Sequence, residues 1–159
     1  MSKLVPGASL QSIATDEVSS WIGIEIGPTD WLQITQERIN QFAVCTDDEQ
    51  WIHIDPARAT NESPFGTTIG HGFLTLSLVS HFVHECLQIS DATVALNYGL
   101  NRVRFPHPVK VDSRLRARIT IQDCEAIDSG IQYTLSVMIE IEGISKPACV
   151  AEPIFRALR

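Results

Sequence analysis

The stretch TDDEQWIHID, residues 46 to 55, gathers three acids, Asp47, Asp48 and Glu49, ahead of a histidine at His53, with the apolar Trp51 and Ile52 between them. No lysine or arginine lies within the stretch to neutralise the acids. A carboxylate and an imidazole can pass protons near neutral pH once their surroundings draw the two pKa values together, so the pair suits general acid–base work on a shared water. The same residues would also serve as a solvated helix end followed by a hydrogen-bonded loop histidine. The flanking sequence has to separate the two readings.

Other chemistry is poorly served. HFVHE places His81 and His84 three apart beside Glu85, which fits neither H-E-x-x-H nor H-x-x-E-H, so these read as ordinary helix histidines. Cys45, Cys86, Cys124 and Cys149 are far apart and form no C-x-x-C pair, as expected of reduced thiols in a cytoplasm. Cys45 has no base paired with it by any motif and is read as a small buried residue. No metal is expected. G-x-G-x-x-G, P-loop and G-x-S-x-G sequences are absent, which lowers the dinucleotide, nucleotide-hydrolysing and serine-hydrolase readings.

The elements that must position the acids and His53 can be read from periodicity. WIGIEIG, 21 to 27, alternates like a half-buried strand and closes at Gly27-Pro28. TQERINQFAV, 35 to 44, sets Ile39, Phe42 and Ala43 at helical spacing behind an N-cap at Thr35, and this helix runs into the acidic stretch. Residues 56 to 70, punctuated by Pro56, Pro64, Gly66 and Gly70, read as loop with a single turn of helix. HGFLTLSLVSHFVHECLQ, 71 to 88, is apolar on nearly every face and predicts a central helix surrounded by protein. Its first turn, at His71 and Gly72, would offer unpaired backbone N–H groups. The second half predicts strands over 93 to 100, 113 to 124, 131 to 143 and 146 to 158, with turns at Asp128-Ser129-Gly130 and at Gly143. Strict alternation from Ile131 to Ile141 marks a sheet that buries one face. Wrapping that sheet around the long helix satisfies both, which makes an α+β fold.

At 159 residues the chain predicts one domain over 1–159, with residues 1–20 as a short N-terminal lead. The formal charge of -7 argues against nucleic acid as a partner. MSKLVPGASLQSIATDEV lacks the apolar core of a signal peptide and no run is long enough to span a membrane, so a soluble, cytoplasmic protein is expected. Six of the twelve basic residues nevertheless fall between 102 and 118. Arg114, Arg116 and Arg118 alternate along one strand and read as a solvated face.

FAVCTDDEQWIHIDPARA followed by SPFGTTIGHGFLTLSLVS resembles the two signature stretches of MaoC-like dehydratases, the (R)-specific enoyl-CoA hydratases. The DEQWIHID wording is similar to the branch that includes nodulation-protein-N-like proteins, and NYGLNRVRFPHPVKVDS resembles the strand-turn-strand after the helix. The resemblance covers most of residues 20 to 157 and implies a hot-dog fold, an antiparallel sheet wrapped around the long helix. It also implies a homodimer or a dimer of dimers, with sheets paired edge to edge. The family pattern, G-D-x-N-P-[LIV]-H, selects Asp48 and His53 as the catalytic pair that holds the nucleophilic water, with Asp47 as the rival to Asp48. Here Asp47 stands for the Gly of the pattern, Gln50 for the Asn and Trp51 for the Pro. Which of the pair is the base is left open.

By the same resemblance Gly72 donates to the thioester oxyanion, and Ser80 supports the catalytic pair by hydrogen bonding. Arg102, Arg104 and Lys110 are candidates for the coenzyme A phosphates. The implied reaction is reversible addition of water to trans-2-enoyl-CoA, giving (R)-3-hydroxyacyl-CoA, with no cofactor. The alternatives are an acyl-CoA thioesterase and a non-catalytic acyl-thioester-binding subunit, the latter suggested by the loss of the Gly at Asp47.

Overall fold

The computed structural model describes residues 4–5 and 9–159, with side chains from residue 9 onward. The expected N-terminal lead therefore falls partly outside the described residues. The chain runs β1 (Leu4–Val5), β2 (Gln11–Ile13), a 3-10 turn (Val18–Trp21), β3 (Glu25–Ile26), β4 (Leu32–Gln33), α1 (Gln36–Thr46), α2 (Trp51–Ile54), α3 (Pro56–Glu62), α4 (Gly72–Cys86), β5 (Leu87–Ile89), β6 (Val94–Arg104), β7 (Arg114–Ile127), β8 (Gly130–Ile141) and β9 (Ile144–Leu158).

The main sheet is ordered β1-β3-β7-β8-β9-β6, with β4 also paired to β7. The long strands β7, β8, β9 and β6 are antiparallel to their neighbours. The β7–β8 hairpin turns at Asp128-Ser129, and Gly130 is required there because a Cβ would sit 2.0 Å from the carbonyl oxygen of Ala157. In β8, buried Ile131, Tyr133, Leu135, Val137, Ile139 and Ile141 alternate with half-buried residues, as the sequence pattern predicts. These face α4, which buries Leu74, Leu78, Val79, Phe82, Val83 and Cys86. Phe82 has no exposed surface and anchors the core.

The outer face of β7 carries charges that are paired, not merely solvated. Arg116 and Arg118 both reach Glu140 across the hairpin, Arg118 also reaches Glu25, and Arg114 meets Glu142. Arg116 additionally lies over the ring of Trp31 at 4.4 Å.

Four expectations need correction. Only Glu25 and Ile26 of the segment 21–27 form a strand, because the preceding 3-10 turn takes up Trp21. The segment after His53 is more helical than expected: α3 makes nearly two turns, since Asp55 caps it by accepting from the Arg58 N–H and Pro56 takes its first position. The long helix stops at Cys86 and not at 88, because Leu87–Ile89 leaves to pair in parallel with β2. Nor is that helix covered all round. Phe73, Ser77, His81 and His84, at helical spacing, form an exposed stripe, with Phe73 67% exposed.

Candidate active site

Helix α1 begins where the sequence predicts, with the Thr35 hydroxyl accepting from the Arg38 N–H at 3.2 Å. It ends at Asp47, whose φ of 56° is left-handed, and the N–H groups of both Asp47 and Asp48 return to the carbonyl of Ala43. Asp47 thus closes the helix in the conformation that glycine adopts most readily, and aspartate is among the few other residues that tolerate it. The chain then makes the single turn α2, which carries His53.

His53 is buried, and three contacts fix it. Its Nδ1–H donates to the carbonyl oxygen of Ile69 at 2.7 Å, while the Ile69 N–H donates to the carbonyl of Ile52 at 3.1 Å. Its own carbonyl accepts from Gln36 Nε2 at 2.7 Å, and the Thr68 hydroxyl donates to Gln36 Oε1. Because a carbonyl can only accept, Nδ1 carries the proton and Nε2 is left with its lone pair. Burial, the largest cause, lowers the His53 pKa below the ordinary 6.5; the bond to Ile69 opposes it, the His71 ring adds to it, and Asp48 opposes it.

Asp48 lies half exposed beside this ring. Ligating atoms of Asp48, His53 and His71 all lie within 4.8 Å of one another. Two hydrogen bonds of about 2.8 Å meeting at a tetrahedral angle span about 4.6 Å, so a carboxylate and an imidazole within 4.8 Å of each other are close enough to share one water. The sequence reading selected Asp48 and His53, and the structure brings them together. His71, to which sequence reasoning gave no role, completes the group: its ring stacks on His53 with centroids 3.7 Å apart, and its Nε2 donates to the Asp48 carbonyl oxygen at 2.9 Å. Its place at the N-cap of a buried helix, next to Gly72, was the available signal.

The three side chains are a metal-ligating set by type. The ring geometry does not favour an ion: the two imidazoles lie face to face at 24°. Lone pairs in two nearly parallel planes do not converge on one tetrahedral centre.

Gly72 opens α4, whose N-cap supplies no side-chain hydrogen bond, so the first amides of the helix keep their donors free. A cavity of about 330 Å³ is lined by His53, Ile69, Gly70, Gly72, Thr75, Phe105 and His107 among others. Gly72 and His53 therefore share one space. A Cβ on Gly72 would meet the Phe105 ring at 3.1–3.2 Å.

Ser80 is not part of this group. Eight residues beyond Gly72 it is about 12 Å along the helix axis, and its hydroxyl accepts from Asn97 Nδ2 at 3.1 Å on a separate cavity of about 240 Å³. The expected hydrogen bond from Ser80 to the acid–histidine pair is replaced by this one. Arg102, Arg104 and Lys110 are exposed, and among the described residues none has a carboxylate partner. Arg104 precedes Phe105 and Lys110 follows Val109, both of which line the cavity. The pair His81 and Glu85 makes an exposed i,i+4 contact at 3.6 Å, and Cys45 is exposed, not buried as expected.

Comparison with known proteins adds five matches. The family described as MaoC like domain matches residues 17–141. The 3-hydroxyacyl-thioester dehydratase Z of Mycobacterium tuberculosis is 47% identical over 149 residues, covering 93% of this chain and 97% of that protein. Nodulation protein N of Rhizobium leguminosarum bv. viciae is 43% identical over 144 residues, covering 89% of each. Among solved structures, the unliganded R-hydratase PhaJ1 of Pseudomonas aeruginosa superposes with a TM-score of 0.75 at 21% identity, over 94% of this chain and 88% of that one. An (R)-hydratase of A. caviae involved in PHA biosynthesis gives 0.67 at 23% identity, over 80% and 91%. At those identities the structures establish the fold, which is the hot-dog arrangement of sheet around helix.

Proposed function

The chain belongs to the MaoC-like dehydratase family, and from that premise we propose that it is a hydro-lyase that adds water reversibly to trans-2-enoyl-CoA, giving (R)-3-hydroxyacyl-CoA. One observation carries the reading: an imidazole with a free Nε2 and an uncapped helix N-terminus share one cavity, and the Asp48 carboxylate lies within 4.8 Å of that imidazole.

In this reading the substrate's thioester oxygen lies at the Gly72 N–H, and its C3 faces a water held by Asp48 and His53. Nε2 takes a proton as the water oxygen bonds to C3. The C2=C3 electrons move onto the thioester, whose enolate oxygen is stabilised by the amide and the positive end of the α4 dipole. The imidazolium then returns its proton to C2, so one group serves as base and acid in turn, and Asp48 aligns the water and steadies the cation. A lowered His53 pKa suits this order, because the resting ring is neutral. Elimination runs the same steps backward.

Asp47 keeps the left-handed turn that a glycine would supply, which removes the reason to read the chain as a non-catalytic relative. Arg104 and Lys110, next to the cavity-lining Phe105 and Val109, and Arg102 on the same strand as Arg104, are proposed to meet the phosphates of coenzyme A. Among the described residues no helix is long and apolar enough to cross a membrane. The edge strand β6 is proposed to join a second copy.

The test is to supply crotonyl-CoA and longer trans-2-enoyl-CoAs and follow loss of the enoyl absorbance, free thiol release and product configuration. Hydration to the (R)-alcohol without thiol release is expected. Thiol release would indicate a thioesterase, and tight binding without turnover a carrier subunit.

A further inference from the structure

His71 holds a contradiction that the hydration reading does not use. Its side chain is only 3% exposed, and while Nε2 is bonded, Nδ1 is buried with no hydrogen-bond partner. A buried polar nitrogen without a partner costs stability, and a phenyl ring of similar size would pack the same space without that cost. Phe42 already presents an aromatic edge to the site, with its centroid 5.0 Å from that of His71. Packing alone gives no reason for an imidazole here. The reason has to lie in the nitrogen that is used.

That nitrogen spans two elements. The ring belongs to the residue that caps α4, where Gly72 begins, and Nε2 donates to the backbone carbonyl of Asp48 at the far end of α1. The Asp48 carboxylate is half exposed, and its Oδ2 is 4.0 Å from the same nitrogen, too far for a hydrogen bond. Among the described residues, the Asp48 backbone is held by the hydrogen bond from its N–H to the Ala43 carbonyl and by the tie to His71, and the latter is what sets it relative to His53 and Gly72. We propose that His71 is a positioning residue whose Nε2–H sets the Asp48 backbone against the α4 N-terminus, so that carboxylate, His53 and the Gly72 amide address one substrate.

The inference rests on the hydratase reading for its kinetic readout but has a second readout that does not. Two variants separate the contacts of the ring. His71→Gln keeps a terminal amide donor toward the Asp48 carbonyl and loses the stacked ring; His71→Phe keeps the ring and loses the donor. His71→Phe is expected to melt at or above the wild-type temperature while kcat falls about tenfold or more with KM little changed, and His71→Gln to recover most of kcat. A merely structural His71 would lose stability and activity together. Activity within twofold of wild type in His71→Phe, a fall in its melting temperature that accounts for the lost activity, or a change confined to KM would each overturn the proposal.

The titratable groups that face His53 are His71 itself, Asp48, and His107 across the cavity. Both variants remove the titratable His71 imidazole, so both should raise the acid limb of kcat/KM alike, which keeps that charge effect apart from the donor effect. Should the wild type not hydrate enoyl-CoA at all, the amide resonances of Asp48 and Glu49 decide. Near-wild-type shifts in His71→Gln with displaced ones in His71→Phe support the tie, and unchanged shifts in both reject it.

Discussion

His53 is where the account is most exposed to pH. Its lowered pKa means that the folded protein resists protonation more than the unfolded chain does. Stability from this residue is therefore intact above the unfolded value of 6.5 and is lost as pH falls from there toward the folded pKa. The acid limb of kcat/KM should accordingly lie below 6.5, and thermal unfolding between pH 5 and 7 should show the slope. An acid limb above 6.5 would mean that a different group, or a charged resting His53, governs the reaction. At this scale the pair Asp48 and His53 was selected through the resemblance to the family pattern, because a five-residue step between an acid and a histidine is equally read as a solvated helix end followed by a loop histidine. The preference for Asp48 over Asp47 also has a physical basis: Asp47 is spent on the left-handed helix end. His71 was not legible as part of the group, because its ring stack and its tie to Asp48 join residues 18 and 23 positions apart.

At the scale of elements, the N-terminus of α4 matters most. Gly72 gives way to Phe105 on one side and opens to the His53 cavity on the other, so the helix start is both an anion-favouring end and one wall of the pocket. Gly72→Ala keeps the amide but drives a methyl into the Phe105 ring. It should lower kcat about tenfold, and adding Phe105→Ala should restore part of the loss. Full activity in the single variant would show that the thioester does not pass close to this glycine. The starts of α1 and α4 were readable from cap and period but their ends were not, while α3 was under-read although Asp55-Pro56 is a helix start in plain sequence. Ser80 was misplaced for a different reason. Its partner Asn97 lies on β6, and one-dimensional spacing along α4 carries no information about which strand a helix face meets.

Across the whole molecule, one side of the sheet is unfinished. Among the described residues strand β6 pairs only with β9, and along it Val94, Leu96, Tyr98 and Leu100 are 46%, 44%, 55% and 45% exposed. Exposed apolar side chains along a free sheet edge, whose backbone groups are also unpaired, are what a second copy would cover. Sedimentation should give a mass near twice 17.6 kDa, and Leu96→Asp combined with Leu100→Asp should shift it to the monomer. A monomeric wild type would remove the edge-to-edge pairing. The long strands were readable because alternation over twelve or more residues survives any tertiary context, whereas the β2–β5 pair, three residues each, has no period to detect. The measurement that bears most directly on the central claim is single-turnover and steady-state hydration by Asp48→Asn and His53→Gln, each checked for folding. Convergence on one water predicts that each lowers kcat by about 10²–10⁴, and that the double variant is little worse than the poorer single one, because the two act as a unit. Folded variants that hydrate enoyl-CoA within a few-fold of wild type would contradict it.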